Sequence, residues 1–158
     1  MRIIGIDPGY DRFGIAVLER VDGKETLVFS TCIQTDKKAS IPDRLTHIGN
    51  AFADLLETHK PAALSLEQLF FNQNVSTALK VAEARGIATY LARARGLAIY
   101  EYSPQAIKIA VTGHGKSDKK QMMAMIPRLV RGLPLKALDD EYDAVAVALT
   151  CLVSERWQ

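Results

Sequence analysis

The chain opens with short apolar runs and changes to helical spacing after about residue 40. Met1–Asp7, with Ile3-Ile4-Gly5-Ile6 at its centre, predicts a short strand that ends at an acid, and Pro8-Gly9 is a turn signal. Phe13–Leu18 and Glu25–Gln34 predict two further strands joined by a hairpin turn at Asp22-Gly23. The three form an antiparallel meander, which argues against a Rossmann opening, where a helix would follow the first strand directly.

Ser40 is suited to cap a helix, with Asp43 as its capping-box partner. Leu45, Ile48, Phe52, Leu55 and Leu56 recur at helical spacing until about His59, and Pro61 ends the pattern. Ala62–Glu67 is a buried-strand run that again stops at an acid. Leu69–Asn74 reads as a loop, Ser76–Arg95 as an Ala-rich helix, and Gly96 as its C-terminal glycine. Ala98–Tyr102 is a fifth strand. Ser103-Pro104 starts a short helix to about Thr112. Ser117 is expected to cap the next helix, which Pro127 should kink or shorten. A last helix begins at Asp139 or Asp140 and runs to about Glu155.

At 158 residues the chain is expected to form one domain, residues 1–158, large enough to bury its own core. The composition is 48% hydrophobic and 24% charged, which excludes disordered, collagen-like and coiled-coil chains. Two cysteines, Cys32 and Cys151, make no disulfide framework and suit a reducing, cytoplasmic setting. No signal peptide is apparent, and no apolar run approaches the ~18 residues that a membrane span needs.

The net charge of +2 hides a division along the chain. Residues 80–136 hold 11 basic and 3 acidic residues, net +8. Residues 1–79 carry net −2, and residues 137–158 carry net −4. A basic stretch inside a folded domain points to a polyanion, nucleic acid first, or else to a solvated helical face.

Asp7 and Glu67 each end an apolar strand, where a carboxylate is costly unless it is paired or bound to a cation. If those strands are neighbours, both acids emerge at one sheet edge. Asp140 and Asp143 are three apart, so on a helix they share a face. No Arg or Lys obvious in the sequence would neutralise all four, and hard divalent cations such as Mg²⁺ prefer carboxylate oxygen. Two such ions can clamp the attacking and leaving oxygens of a phosphodiester. Each acid also has a simpler explanation. Asp7 could form an Asx turn, and Asp139, Asp140 and Glu141 favour a helix N-terminus whatever their function. Asp143, alone among Ala144, Val145, Ala146 and Val147, needs a partner.

Four blocks, GIDPGYDRFGIAV, SLEQLFFNQNVSTALKVAEARG, KIAVTGHGKSDKKQ and DEYDAVAVALT, together resemble the bacterial Holliday-junction resolvase family RuvC in order and spacing. The resemblance implies an α/β, RNase H-like fold: a mixed five-stranded sheet, antiparallel β1-β2-β3 followed by parallel strands, flanked by helices. It implies a homodimer that nicks four-way DNA junctions with two Mg²⁺ ions per site, Mn²⁺ serving as a substitute. Asp7, Glu67, Asp140 and Asp143 match the family's acidic catalytic and metal positions. Some relatives carry His at the position of Asp140.

Phe70 matches the family's aromatic at the junction crossover, where an apolar wedge can unstack bases, and Phe71 could share that role. Lys108 and Lys119 match lysines near the scissile phosphate, with Lys119 counted among the catalytic residues. Lys80, Arg85, Lys116 and Lys120 are expected to contact the DNA backbone rather than bases, and Asn74 matches a family loop residue counted among the DNA contacts. Gln73 stands where relatives often carry Lys. The RuvA–RuvB branch-migration complex is a further possible partner, and no membrane is involved.

Gly113–Ser117 resembles the end of a P-loop, but Ala110 occupies the position of the first glycine. Asp7-Pro8-Gly9 also resembles the phosphate loop of actin-like ATPases, whose chains are about twice this long. A nuclease of the YqgF type, or a binding module without catalysis, is the remaining alternative, and four retained acids favour catalysis. His47, His59 and His114 lack metal-ligand spacing.

Overall fold

The computed structural model describes residues 1–69, 75–134 and 136–157, apart from the side chains of Val75 and Ser76. Strands β1 (Arg2–Pro8), β2 (Arg12–Val21) and β3 (Lys24–Gln34) form the meander. Asp22 and Gly23 both take positive φ at its turn, as a tight hairpin requires. Then follow α1 (Ile41–His59), β4 (Ala63–Glu67), α2 (Val75–Ala94) and β5 (Ala98–Tyr102). The chain continues through α3 (Pro104–Thr112), α4 (Lys119–Leu129) and α5 (Asp139–Ser154).

The sheet order is β3-β2-β1-β4-β5, with β4 parallel to β1 and β5 parallel to β4. This is the expected mixed five-stranded sheet. Alternation along β1 and β2 feeds two apolar layers. Ile4, Ile6, Phe13, Ile15 and Val17 pack against Ile48 and Phe52 of α1 and the alanines of α2. Ile3, Ala16 and Leu18 pack against α3, α4 and α5 on the other face.

Helix α5 lies closest to the sheet. Ala144 through Leu152 are all buried, and a Cβ at Gly5 would come 2.5 Å from the Ala144 carbonyl oxygen. The buried Ser65 hydroxyl donates to the Val147 carbonyl over 2.7 Å, tying β4 to the same helix. Small residues on both partners thus bring the start of α5 down onto the ends of β1 and β4.

Two local expectations need correction. Asp118, not Ser117, caps α4, and it forms a capping box with Gln121. Ser117 turns inward instead, 2.6 Å from the Thr112 hydroxyl. At Ser40 the cap hydroxyl accepts from the Asp43 amide but donates its own proton to the Asp43 carboxylate, so the reciprocal half of the box is absent. Pro127 does shorten its helix, which ends at Leu129.

Candidate active site

Ile6 and Leu66 are paired on the parallel strands β1 and β4, so Asp7 and Glu67 leave adjacent strands at the same sheet edge. They line a cleft of about 270 Å³ with Asp143 of α5, Lys108 of α3 and Lys119 of α4. Asp140 stands on the flank of this cleft, near enough for its charge to act on Asp7.

Burial, followed by the charges of Asp143, Asp140 and Glu67, pushes the Asp7 carboxyl up to about 7, against a smaller opposing pull from Lys119. Glu67 is also raised, first by burial and then by Asp143, while Lys108 pulls it down. The Lys119 ammonium is raised, chiefly by its hydrogen bond to Asp143. These are the signs of a crowded acidic site that favours uncharged carboxyls until a cation arrives.

Besides Lys108, two cations temper that crowding by pairing with individual acids, without neutralising the whole cluster. Lys119 Nζ lies 3.0 Å from Asp143 Oδ2 and 3.7 Å from Asp139 Oδ2. Arg12, the first residue of β2, forms an ion pair with Asp140. Neither contact is visible in sequence, because each joins elements that only the tertiary fold brings together. Apart from that ion pair, Asp140 Oδ2 is buried and accepts no hydrogen bond. Among the described residues, no three acidic, His or Cys side chains stand ready-placed around one point. The donor set nonetheless fits a hard cation: several carboxylates gathered at one sheet edge, one of which, Asp7, is disfavoured as an anion by burial and by its acidic neighbours.

Glu141, the other acid in the first turn of α5, is committed elsewhere. Its carboxylate accepts from the Ser30 hydroxyl at 2.5 Å and from the Leu138 amide at 3.1 Å. It therefore fastens α5 to β3 and stays out of the cleft. Residues 8–12 are braced by Arg44, which is 6% exposed. Its guanidinium donates to the Thr35 hydroxyl, the Tyr10 carbonyl and the Asp11 carboxylate, and it lies over the Tyr10 ring. The sequence offered one signal for this brace, an arginine within the otherwise apolar rhythm of α1.

The expected DNA contacts divide into groups. Lys108 and Lys119 reach the cleft, and Lys116 and Lys120 are exposed beside it in sequence. Lys80 Nζ sits 5.2 Å from the centre of the Tyr10 ring. Arg85 departs from the expectation of a free backbone contact: it is largely covered and pairs with Glu101 of β5 at 2.8 Å. Phe70, Phe71, Gln73 and Asn74 lie outside the described residues.

A mixed sheet in the order β3-β2-β1-β4-β5 with helices on both faces, and with acids gathered at the ends of two of its parallel strands, is of the RNase H-like class. Residues 3–151 match the family model described as "Crossover junction endodeoxyribonuclease RuvC". The RuvC endonuclease of Brevibacillus brevis is 41% identical over 150 residues, covering 95% of this chain and 90% of that protein. That of Thermosipho melanesiensis is 41% identical over 157 residues, covering 99% and 100%. The solved Thermus thermophilus RuvC in complex with Holliday junction substrate superposes with a TM-score of 0.87 at 28% identity, covering 95% of this chain and 92% of that one. The chain belongs to the RuvC family of crossover junction endodeoxyribonucleases. No helix among the described residues is long and apolar enough to cross a membrane.

Proposed function

We propose that this chain resolves four-way DNA junctions by paired symmetric nicks, with residues 1–158 acting as one nuclease domain. The observation that carries the reading is the convergence of Asp7, Glu67 and Asp143 in one cleft with Lys108 and Lys119 on its walls.

Asp7, Glu67, Asp140 and Asp143 are the residues that would hold Mg²⁺. Two such ions, when bound, supply Lewis-acid activation of the attacking water and neutralisation at the 3′ leaving oxygen. The protein's own contribution is placement and charge. The two strand ends fix Asp7 and Glu67, and α5 brings Asp140 and Asp143 across them. Lys119 is placed to pass from Asp143 to the scissile phosphate as charge develops there. Hydrolysis adds water to phosphorus and breaks the bond to the 3′ oxygen, leaving 5′-phosphate and 3′-hydroxyl ends. Lys80, Lys116 and Lys120 would contact the DNA backbone, and Phe70, Phe71 and Asn74 the strand crossover.

A second copy is expected against the apolar groove between α1 and α2, which Leu45, Gly49, Ala53, Ile87 and Tyr90 help to line. Tyr90 is 71% and Leu79 57% exposed, a sizeable apolar surface for one face of α2. A twofold dimer matches the symmetry of the junction. A soluble, cytoplasmic setting and cooperation with a RuvA–RuvB branch-migration complex suit this role.

The test is an Mg²⁺ cleavage assay on a four-way junction, a linear duplex and an RNA–DNA hybrid. Paired symmetric nicks confined to the junction are expected. Cleavage of the hybrid alone, or of nothing, would overturn the proposal.

A further inference from the structure

Arg12 occupies a particular place at the edge of the carboxylate cluster. It opens β2 opposite Gln34 of β3. Gly14, two residues on, shares its face of the strand, and a Cβ there would collide with the Asp140 carbonyl. This contact between the start of β2 and the first turn of α5 carries the Arg12 side chain to the Asp140 carboxylate. Arg12 is 47% exposed, whereas Asp140 is 21% exposed. The guanidinium can therefore swing into solvent while the carboxylate stays in place.

Lys119 differs from it. Lys119 faces the cleft, where it remains useful to a bound phosphate, while Arg12 lies outside the cleft lining. An arginine also keeps its charge throughout the working pH range, so its competition with another cation cannot be relieved by deprotonation.

We propose that Arg12 is the resident counter-ion of Asp140, holding that carboxylate in the metal-free protein and competing with the divalent cation for it. Arg12 is then a positioning residue that lowers metal affinity and keeps Asp140 from repelling Asp7 before the cation arrives. The inference rests on the reading of Asp140 as a metal ligand.

The experiment is calorimetric titration of metal-free protein with Mn²⁺, using wild type, Arg12→Gln, Arg12→Met, Arg12→Lys and Asp7→Asn. Arg12 lies at the rim of the fold, and two uncharged variants guard against a local packing effect of either one. Both are expected to bind Mn²⁺ roughly two- to fivefold more tightly than wild type, while Arg12→Lys stays near wild type. Asp7-dependent binding whose affinity is unchanged or weakened in both uncharged variants would overturn the Arg12 inference alone. An absence of binding by wild type, or binding that survives Asp7→Asn undiminished, would overturn the reading of the carboxylates and this inference with it.

Discussion

Lys119 Nζ and Asp143 Oδ2 stand 3.0 Å apart, joining the first turn of α4 to the first turns of α5. The lysine is more than half exposed, so the pair adds little to stability. Its value is positional, since it keeps an ammonium group at the mouth of a cleft lined by carboxylates. Lys119→Ala is expected to lower single-turnover junction cleavage by roughly a hundredfold while junction affinity changes little. Quenched cleavage of labelled junctions, with parallel gel-shift titration, checks both halves. Unchanged cleavage would remove Lys119 from the reaction.

The raised Asp7 carboxyl makes metal-free stability depend on pH. Its folded value, about 7, lies above the ordinary 3.8, so the native state holds a proton that the unfolded chain has already released. The stabilisation is complete below about 3.8 and is lost as pH rises through about 7. Without metal, the Tm gap between Asp7→Asn and wild type should widen in favour of the variant from pH 5 to pH 8. Saturating Mg²⁺ should stabilise wild type and narrow that gap. A pH-independent gap in the metal-free proteins would refute the account of Asp7.

Gly14 is a matter of space rather than of backbone freedom, because an added methyl group would meet the Asp140 carbonyl. Gly14→Ala is expected to cost about 1–3 kcal/mol and to shift the start of α5, taking Asp140 with it. Urea denaturation measures the first effect. A loss of Mn²⁺ affinity in the folded variant measures the second.

The α1–α2 groove predicts a quaternary effect. Tyr90→Glu, which places a charge on the exposed apolar face of α2, should turn a dimer into a monomer in sedimentation at micromolar concentration. Junctions treated with it should accumulate single, unpaired nicks. An unaltered dimer would place the interface elsewhere.

The strands and most helices were legible because each obeys one period and is closed by a turn or cap residue. Asp7 and Glu67 stood out for a related reason, as acids ending apolar runs, and the parallel pairing of Ile6 with Leu66 carries them to one edge. What escaped the sequence were pairings between remote elements. Arg12 meets Asp140 only because glycine at position 14 lets α5 settle on β2. Arg85 reads as a free cation until β5 brings Glu101 beside it. At residues 117 and 118 two cap-competent side chains are adjacent, and burial of Ser117 against Thr112 leaves Asp118 to cap α4. Glu141 looked equivalent to its acidic neighbours, yet Ser30 on an otherwise distant strand claims it.

The most direct test of the central claim is cleavage of a four-way junction in Mg²⁺ by wild type and by Asp7→Asn, with junction binding measured on the same preparations. The expected result is paired symmetric nicks by wild type, and no detectable cleavage by the variant at undiminished junction affinity. Cleavage by Asp7→Asn at a rate near that of wild type would contradict the role of the carboxylate cluster.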